Sequence, residues 1–138
     1  MSFVLDNSVS SRWLLEDGSQ SDLAYADEIL AAISEEIAVV PVIWGLGMAN
    51  VIARAERNGS ISESRSKRFL EFLNGIDIRT DDETFSRALT DTLDLARRYK
   101  LSAYDASYLE LAIRLQIPIA TLDEKLQKAA QKAGVKKV

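Results

Sequence analysis

Short apolar runs that stop at polar clusters alternate along this chain with longer stretches of helical periodicity. The first run, Phe3-Val4-Leu5, ends in Asp6-Asn7-Ser8, the pattern of a buried strand entering a helix cap. Over 22–37, Leu23, Ala26, Ile29, Leu30, Ile33 and Ile37 recur at helical spacing, with Asp27, Glu28, Glu35 and Glu36 opposite. That spacing predicts an amphipathic helix. Ala38-Val39-Val40 before Pro41 reads as a brief extended piece, and 42–57 returns to helical periodicity until Asn58-Gly59 closes it.

A basic-faced helix carrying Arg65, Lys67 and Arg68 is predicted over 62–73, stopped by Asn74-Gly75. Ile76-Asp77-Ile78-Arg79 alternates apolar and polar, which predicts a second, half-buried strand. Asp81 or Asp82 then caps a helix over about 83–99 whose inward side is Phe85, Leu89, Leu93, Leu95 and Ala96. Ser102 opens another helix over 103–115, a third strand follows at 117–121, and Asp123 begins a last helix ending near Gly134. Strands separated by helices call for a parallel sheet covered on both faces. The expected fold is α/β, a three-layer α/β/α sandwich with a parallel central sheet, built as one domain over 1–138.

Charge divides this picture unevenly. The net charge of −4 argues against loose electrostatic binding to nucleic acid. Residues 1–50 carry one basic side chain against eight acidic ones, −7, whereas 51–138 carry sixteen against thirteen, +3. Most of these charges read as solvated helix faces, but an acidic region can hold a cation and a basic one phosphate. No apolar run approaches the roughly 20 residues that cross a bilayer, and the amino terminus lacks a secretion-signal layout. With no cysteine, a reducing, cytoplasmic setting is expected.

Two aspartates fall where strands run out, Asp6 after the first and Asp123 after Ile117-Pro118-Ile119-Ala120-Thr121-Leu122. In open parallel sheets ligands bind outside the carboxyl ends of the strands. A chain without histidine or cysteine has oxygen ligands to offer, which suit Mg²⁺ or Mn²⁺. Each aspartate is equally readable as an N-cap worth about 1 kcal/mol. Asp105 differs, because it opens a helix among Ala103, Ala106 and Leu109, at a buried border where an unpaired carboxylate is costly.

These residues resemble a known family. Val4-Leu5-Asp6-Asn7-Ser8-Val9, then Leu101-Ser102-Ala103-Tyr104-Asp105-Ala106, then Ile119-Ala120-Thr121-Leu122-Asp123 look like the PIN-domain ribonucleases, specifically the VapC-type toxins of toxin–antitoxin pairs. The resemblance covers the whole chain and extends through Tyr108-Leu109-Glu110-Leu111-Ala112 and Lys125-Leu126. It implies a metal-dependent endoribonuclease in which Asp6, Asp105 and Asp123 hold Mg²⁺ or Mn²⁺, with Ser8, Asn50 and Thr121 around them. It also implies RNA as substrate, a VapB-type antitoxin as partner and a homodimer. A histidine-based ribonuclease is excluded, since there is no histidine.

The departure lies in Trp44-Gly45-Leu46-Gly47-Met48-Ala49-Asn50. Family members usually carry a glutamate three residues before this asparagine, where this chain has Gly47. One carboxylate is lost, and glycine in a helix costs up to about 1 kcal/mol against alanine, so helix stability does not explain the choice. Natural loss of activity, a disarming change, or a substitute ligand are the three readings. Asn50 and Arg54 follow on the same helical face, and Glu110 is a weaker stand-in.

An inactive PIN-fold protein that binds antitoxin or RNA is therefore the alternative function. A phosphoacceptor receiver domain fits less well, because Asp6-Asn7 and Asp77 do not supply its acidic pair and mid-chain acceptor. Trp13 and Trp44 read as core or interface rather than base-stacking platforms. Lys125, Lys128 and Lys132, continued by Lys136 and Lys137, form a basic helix and tail beginning beside the proposed metal site.

Overall fold

A parallel strand covered on both faces must be apolar on both, and the run at the amino terminus is the innermost such strand. In the computed structural model, which describes residues 1–138, β1 (Ser2–Leu5) pairs in parallel with β2 (Ile37–Val40) on one side and β4 (Ile119–Ala120) on the other. β3 (Ile78–Thr80) pairs with β2. The sheet order is β3-β2-β1-β4. The brief extended piece expected at 38–40 is thus a central strand, and the sheet has four strands rather than three. The strand expected from Ile76 begins only at Ile78, and the one expected over 117–121 is two residues long.

Helices fill the connections: α1 (Asn7–Ser10), continued by a 3₁₀ turn to Trp13, α2 (Gln20–Ala32), α3 (Ile43–Arg57), α4 (Glu63–Asn74), α5 (Thr84–Arg87), α6 (Leu93–Tyr99), α7 (Ala103–Leu115) and α8 (Glu124–Lys132). Caps set several of the starts. Ser19, Ser62, Ser102 and Asp123 each accept a hydrogen bond from the backbone N–H three residues on, typically worth about 1 kcal/mol. The helix expected to run to Ile37 stops at Ala32, because Ile37 is taken by the sheet.

Alternation along the strands sorts the core into two layers. Phe3, Leu5, Ala38, Val40 and Ala120 pack with Ala26, Ile29 and Ile33 of α2. Val4 and Ile119 point the other way, into Leu109, Leu111 and Ala112 of α7 and Leu126, Ala129 and Ala130 of α8. Residues Ala106 to Ala112 of α7 are all buried, so this helix is the spine of that layer. Each fully buried leucine there contributes roughly 1.5–3 kcal/mol. Helices on both faces of a parallel sheet confirm the three-layer α/β/α expectation. A smaller apolar cluster joins α3 and α4 through Met48, Ile52, Ala55 and Phe69.

The helix expected over 83–99 is interrupted. Residues Ala88–Thr92 form a π turn between α5 and α6, and the widened turn shifts the helical phase. Leu93, Leu95 and Ala96 stay half-buried, whereas Phe85 and Leu89, expected inward, are 92% and 84% exposed. The cap position of α5 is Glu83, whose N–H donates to Asp81 Oδ2 at 3.1 Å. Trp13 and Trp44 pack against the core, with their indole N–H groups on Ala26 O and Ser10 Oγ, as a structural reading of both predicts. No helix is long and apolar enough to cross a membrane.

Candidate metal centre

The strand order reverses direction at β1, since β2 and β3 follow on one side and β4 is laid down on the other. A crevice opens outside the carboxyl ends of two strands at such a switch point. Asp6 leaves β1 there, and Thr121 and Asp123 leave β4 beside it, with Asp6 N–H donating to Ala120 O at 3.0 Å. The amino end of α7 brings Asp105 to the same edge.

Asp6 is 2% exposed. Ser8 Oγ donates to its Oδ2 at 2.6 Å and Thr121 Oγ1 to the same oxygen at 2.7 Å, leaving Oδ1 free of side-chain donors. The two hydroxyls are themselves fixed: Leu122 N–H donates to Ser8 Oγ at 2.9 Å and Asp123 N–H to Thr121 Oγ1 at 3.0 Å. Asp6 makes no side-chain cap to α1, so its capping alternative falls. Asp123 does cap α8, through Oδ1 and Leu126 N–H at 2.9 Å, which leaves its second oxygen outside that bond.

The electrostatics show how closely the three acids are grouped. Burial raises the Asp6 carboxyl above its ordinary range, the Ser8 and Thr121 hydrogen bonds oppose this, and the Asp123 charge adds to it. Asp105 is pushed up to about 6, first by burial, then by the charges of Asp123 and Asp6, with Lys125 opposing weakly. No arginine reaches the group. Nevertheless, the three do not form a preassembled cage. The one trio of acids with ligand atoms all within 4.8 Å of one another is Asp81, Asp82 and Glu83, on the loop before α5.

Gly47 faces this edge from α3. A Cβ built on it would overlap Asn7 Nδ2, so the Asn7 carboxamide stands where a side chain at 47 would begin. Gly45 has open space around it. Asn50 and Arg54 are exposed, with no hydrogen bond linking either to the acids, and Arg54 lines a separate cavity with Arg12 and Glu16. Glu110 is not a stand-in either, because it is buried and held by Arg114 Nε at 2.7 Å.

Two features were not reached by the sequence reading. The Tyr108 hydroxyl is buried with no hydrogen-bond partner, and burial first, then the Asp6 charge, raises its pKa. Arg114 gathers Asp81, Glu83 and Glu110 into one ion cluster, spanning α7 and the loop after β3. A helical i,i+4 Glu-to-Arg pair was visible in Glu110 and Arg114, but not the remote partner Asp81.

The donor set fits a hard divalent cation. Asp6, Asp105 and Asp123 offer oxygen alone, repel one another, and lack an arginine or histidine that would answer their charge. Gly47 adds no side chain to this set. Acids collected at the switch point of a parallel sheet define an α/β fold of the nuclease type. A family model described as PIN domain matches residues 3–132. The chain belongs to the PIN domain family, whose members are generally metal-dependent nucleases. Among solved structures, the crystal structure of PAE2754 from Pyrobaculum aerophilum is similar with a TM-score of 0.65, over 94% of this chain and 87% of that one. At 18% identity that likeness concerns the fold. No curated protein matches this sequence.

Proposed function

We propose that this chain is a VapC-type endoribonuclease toxin, acting in the cytoplasm and paired with a VapB-type antitoxin, whose metal site is weakened at Gly47. The observation that carries this reading is the meeting of Asp6, Asp105 and Asp123 at the switch point with no ion pair to any of them and only the weak opposing charge of Lys125. Asp6, Asp105 and Asp123 would hold Mg²⁺ or Mn²⁺. When bound, the ion orients and activates water, neutralises phosphate charge and steadies the leaving oxygen. Ser8 and Thr121 both donate to Asp6 Oδ2, which orients the carboxylate and leaves Oδ1 without a side-chain donor. Asp105, with its carboxyl near pKa 6, can hold a proton on Oδ at mildly acid pH and release it at neutral pH. Burial of Asp6 beneath Thr121 and Leu122 excludes water from its far side.

The absence of a side chain at Gly47, with the Asn7 carboxamide occupying the space where one would begin, supports a second reading, a PIN-fold protein that binds antitoxin or RNA without cutting. One missing charge lowers divalent affinity, because affinity follows ligand charge. The exposed apolar side chains Val42 and Leu46 of α3, and Phe85 and Leu89 beside them, offer a surface for a homodimer or an antitoxin helix. Val42 N–H donates to Thr84 Oγ1 at 3.2 Å, which brings the two pairs together.

Calorimetric Mn²⁺ titration with a parallel assay on structured RNA tests both readings. Wild type is expected to bind Mn²⁺ weakly and Asp105→Asn not at all. In Gly47→Glu the Asn7 carboxamide must swing aside, whereas Gly47→Glu with Asn7→Ser clears that space and is expected to gain about tenfold in affinity and to cleave faster. Equal affinities and rates across all four proteins would sink the proposal.

A further inference from the structure

Thr121, whose hydroxyl holds Asp6, also lines a cavity of about 700 Å³ that none of the three acids borders. It is lined by Thr121, Gln127, Lys128, Gln131, Lys136 and Lys137, together with apolar side chains, and no acidic residue borders it. Over 124–138 five lysines stand against Glu124 alone, giving +4 in a protein of net −4. Every ion pair in the molecule is made by an arginine, so none of these lysines is neutralised by a carboxylate. We propose that this cavity is a binding groove for the sugar-phosphate backbone of a single-stranded RNA, separated from the acid cluster by the buried Thr121.

The local build supports a held groove rather than a loose basic tail. After α8 the chain turns at Gly134, whose φ is +80°, and runs alongside β4. Ile119 N–H donates to Lys136 O at 2.9 Å, and Val138 N–H donates to Ile119 O at 3.1 Å. Tyr25 Oη donates to Val138 O at 3.2 Å, and Lys137 Nζ sits 4.6 Å from the centre of the Tyr25 ring. The opposite wall is α8, whose Gln127 Nε2 donates to Thr121 O at 2.8 Å. Thr121 is therefore shared: its carbonyl is fixed by the groove wall, and its hydroxyl holds Asp6.

The chemistry of the lining selects the ligand. Lysines are mobile point charges, suited to a row of phosphates, whereas a single phosphate is usually gripped by arginine forks or helix amides. None of those donors lines this cavity. Its volume also exceeds what one phosphate fills. The acid cluster held by the other end of Thr121 argues for RNA over an acidic protein segment, because a groove for the substrate is needed beside the residues proposed to act on it. The identity of the polyanion rests on the ribonuclease reading above, but the binding itself does not need metal.

The basic face of α4 offers the internal control. Arg65 Nη2 already donates to Leu14 O at 2.7 Å, and Arg68 Nη1 to Ser64 Oγ at 3.3 Å, so that face is partly consumed by the fold.

Fluorescence anisotropy of a labelled single-stranded RNA of about 20 nucleotides, in EDTA and over about 50–300 mM salt, tests the groove. Wild type is expected to bind with a clear salt dependence. Lys128→Gln with Lys136→Gln and Lys137→Gln should weaken binding at least about tenfold at low salt and reduce the salt slope by about 2. Lys67→Gln with Arg68→Gln should change it less than threefold, which we scale to a minor share of the phosphate contacts. Circular dichroism melts establish that each variant is folded. Unchanged affinity and slope in the triple variant overturns the proposal, as does absence of RNA binding by wild type. Displacement of the RNA by polyglutamate or by inorganic phosphate at equal charge concentration also overturns it, assigning the groove to an acidic protein or to free phosphate. Loss of Mn²⁺ binding and cleavage with RNA binding retained would defeat the ribonuclease reading alone. Cleavage with unaltered RNA binding in the triple variant would defeat the groove alone.

Discussion

Two groups of carboxylates lie in this protein, and they are treated in opposite ways. Asp81, Glu83 and Glu110 surround Arg114, which holds Asp81 Oδ2 at 2.8 Å, Glu83 Oε2 at 3.1 Å and Glu110 Oε1 at 2.7 Å. Asp6, Asp105 and Asp123 meet at the end of the sheet with hydroxyls and backbone amides around them and no arginine. The Arg114 hydrogen bond, first among the causes, holds the Asp81 carboxyl below its ordinary range, whereas burial and mutual repulsion lift Asp6 and Asp105. An acid whose charge the fold already answers is structural. One whose charge the fold leaves unanswered is arranged for something that comes from outside.

Arg114 is where the comparison breaks most sharply. Arg114→Ala strands Glu110, 4% exposed, without its cation and releases the loop after β3. A loss of about 3–5 kcal/mol is expected in urea denaturation, because a buried charge is left unpaired. Asp6→Asn should do the reverse in a chelator. It keeps an acceptor for Ser8 and Thr121 and removes a buried charge, so stability is expected to hold or rise by about 1 kcal/mol, while any Mn²⁺-induced rise in Tm disappears. A Tm response to Mn²⁺ that survives Asp6→Asn would place the ion elsewhere, the loop of Asp81, Asp82 and Glu83 being the first place to look.

The same contrast has a pH signature with two signs. Asp105 binds its proton more tightly in the folded state, so its penalty is absent below the ordinary value of 3.8 and grows as pH rises through about 6. Allowing for solvent screening of a half-buried group, this amounts to about 1–2 kcal/mol. Asp81 works in the other direction, contributing stability above the ordinary carboxylate range that is lost as pH falls through its depressed value. The stability of chelated protein, measured by denaturation from pH 3 to 8, should therefore fall off on both sides. Asp105→Asn is expected to flatten the limb between pH 4 and 7 alone; a limb that persists unchanged would mean that Asp105 is not its source.

Legibility in the sequence followed the same division. The strand ends and the helix caps could be read because each is local: an apolar run that stops, or a serine three residues before a free N–H. Asp6 and Asp123 can be paired because each follows a strand of an expected parallel sheet, whereas Asp105 joins them only through the motifs that resemble a family, since nothing in spacing says that a helix start a hundred positions on shares their edge. The central strand β2 was taken for a brief extension because three apolar residues before proline are too short to assert a strand. Phe85 and Leu89 were placed inward because helical periodicity assumes an unbroken phase, and the π turn over 88–92 breaks it. Arg114 was missed as a clamp because Asp81 lies 33 residues away.

The smallest expected effect on stability belongs to that outward pair. Phe85→Ser with Leu89→Ser removes two side chains that bury little in the monomer, so a change within about 0.5 kcal/mol is expected by urea denaturation. If the patch joins two copies, the same variant should shift the protein to monomer in sedimentation. An unchanged sedimentation coefficient would remove this face from the account of assembly.

The tail alongside β4 has a consequence for how the sheet meets other molecules. A strand of two residues would leave its peptide groups as a template for a neighbour, but Lys136 and Val138 already take the N–H and C=O of Ile119. The outermost chain at that side then carries Lys136 and Lys137, and a second copy approaching edge to edge meets like charges. At the other side β3 is three residues long and carries exposed Arg79 and Thr80. The sheet is thus sealed at one margin and kept short at the other, which guards the protein against growing into a fibre by strand addition.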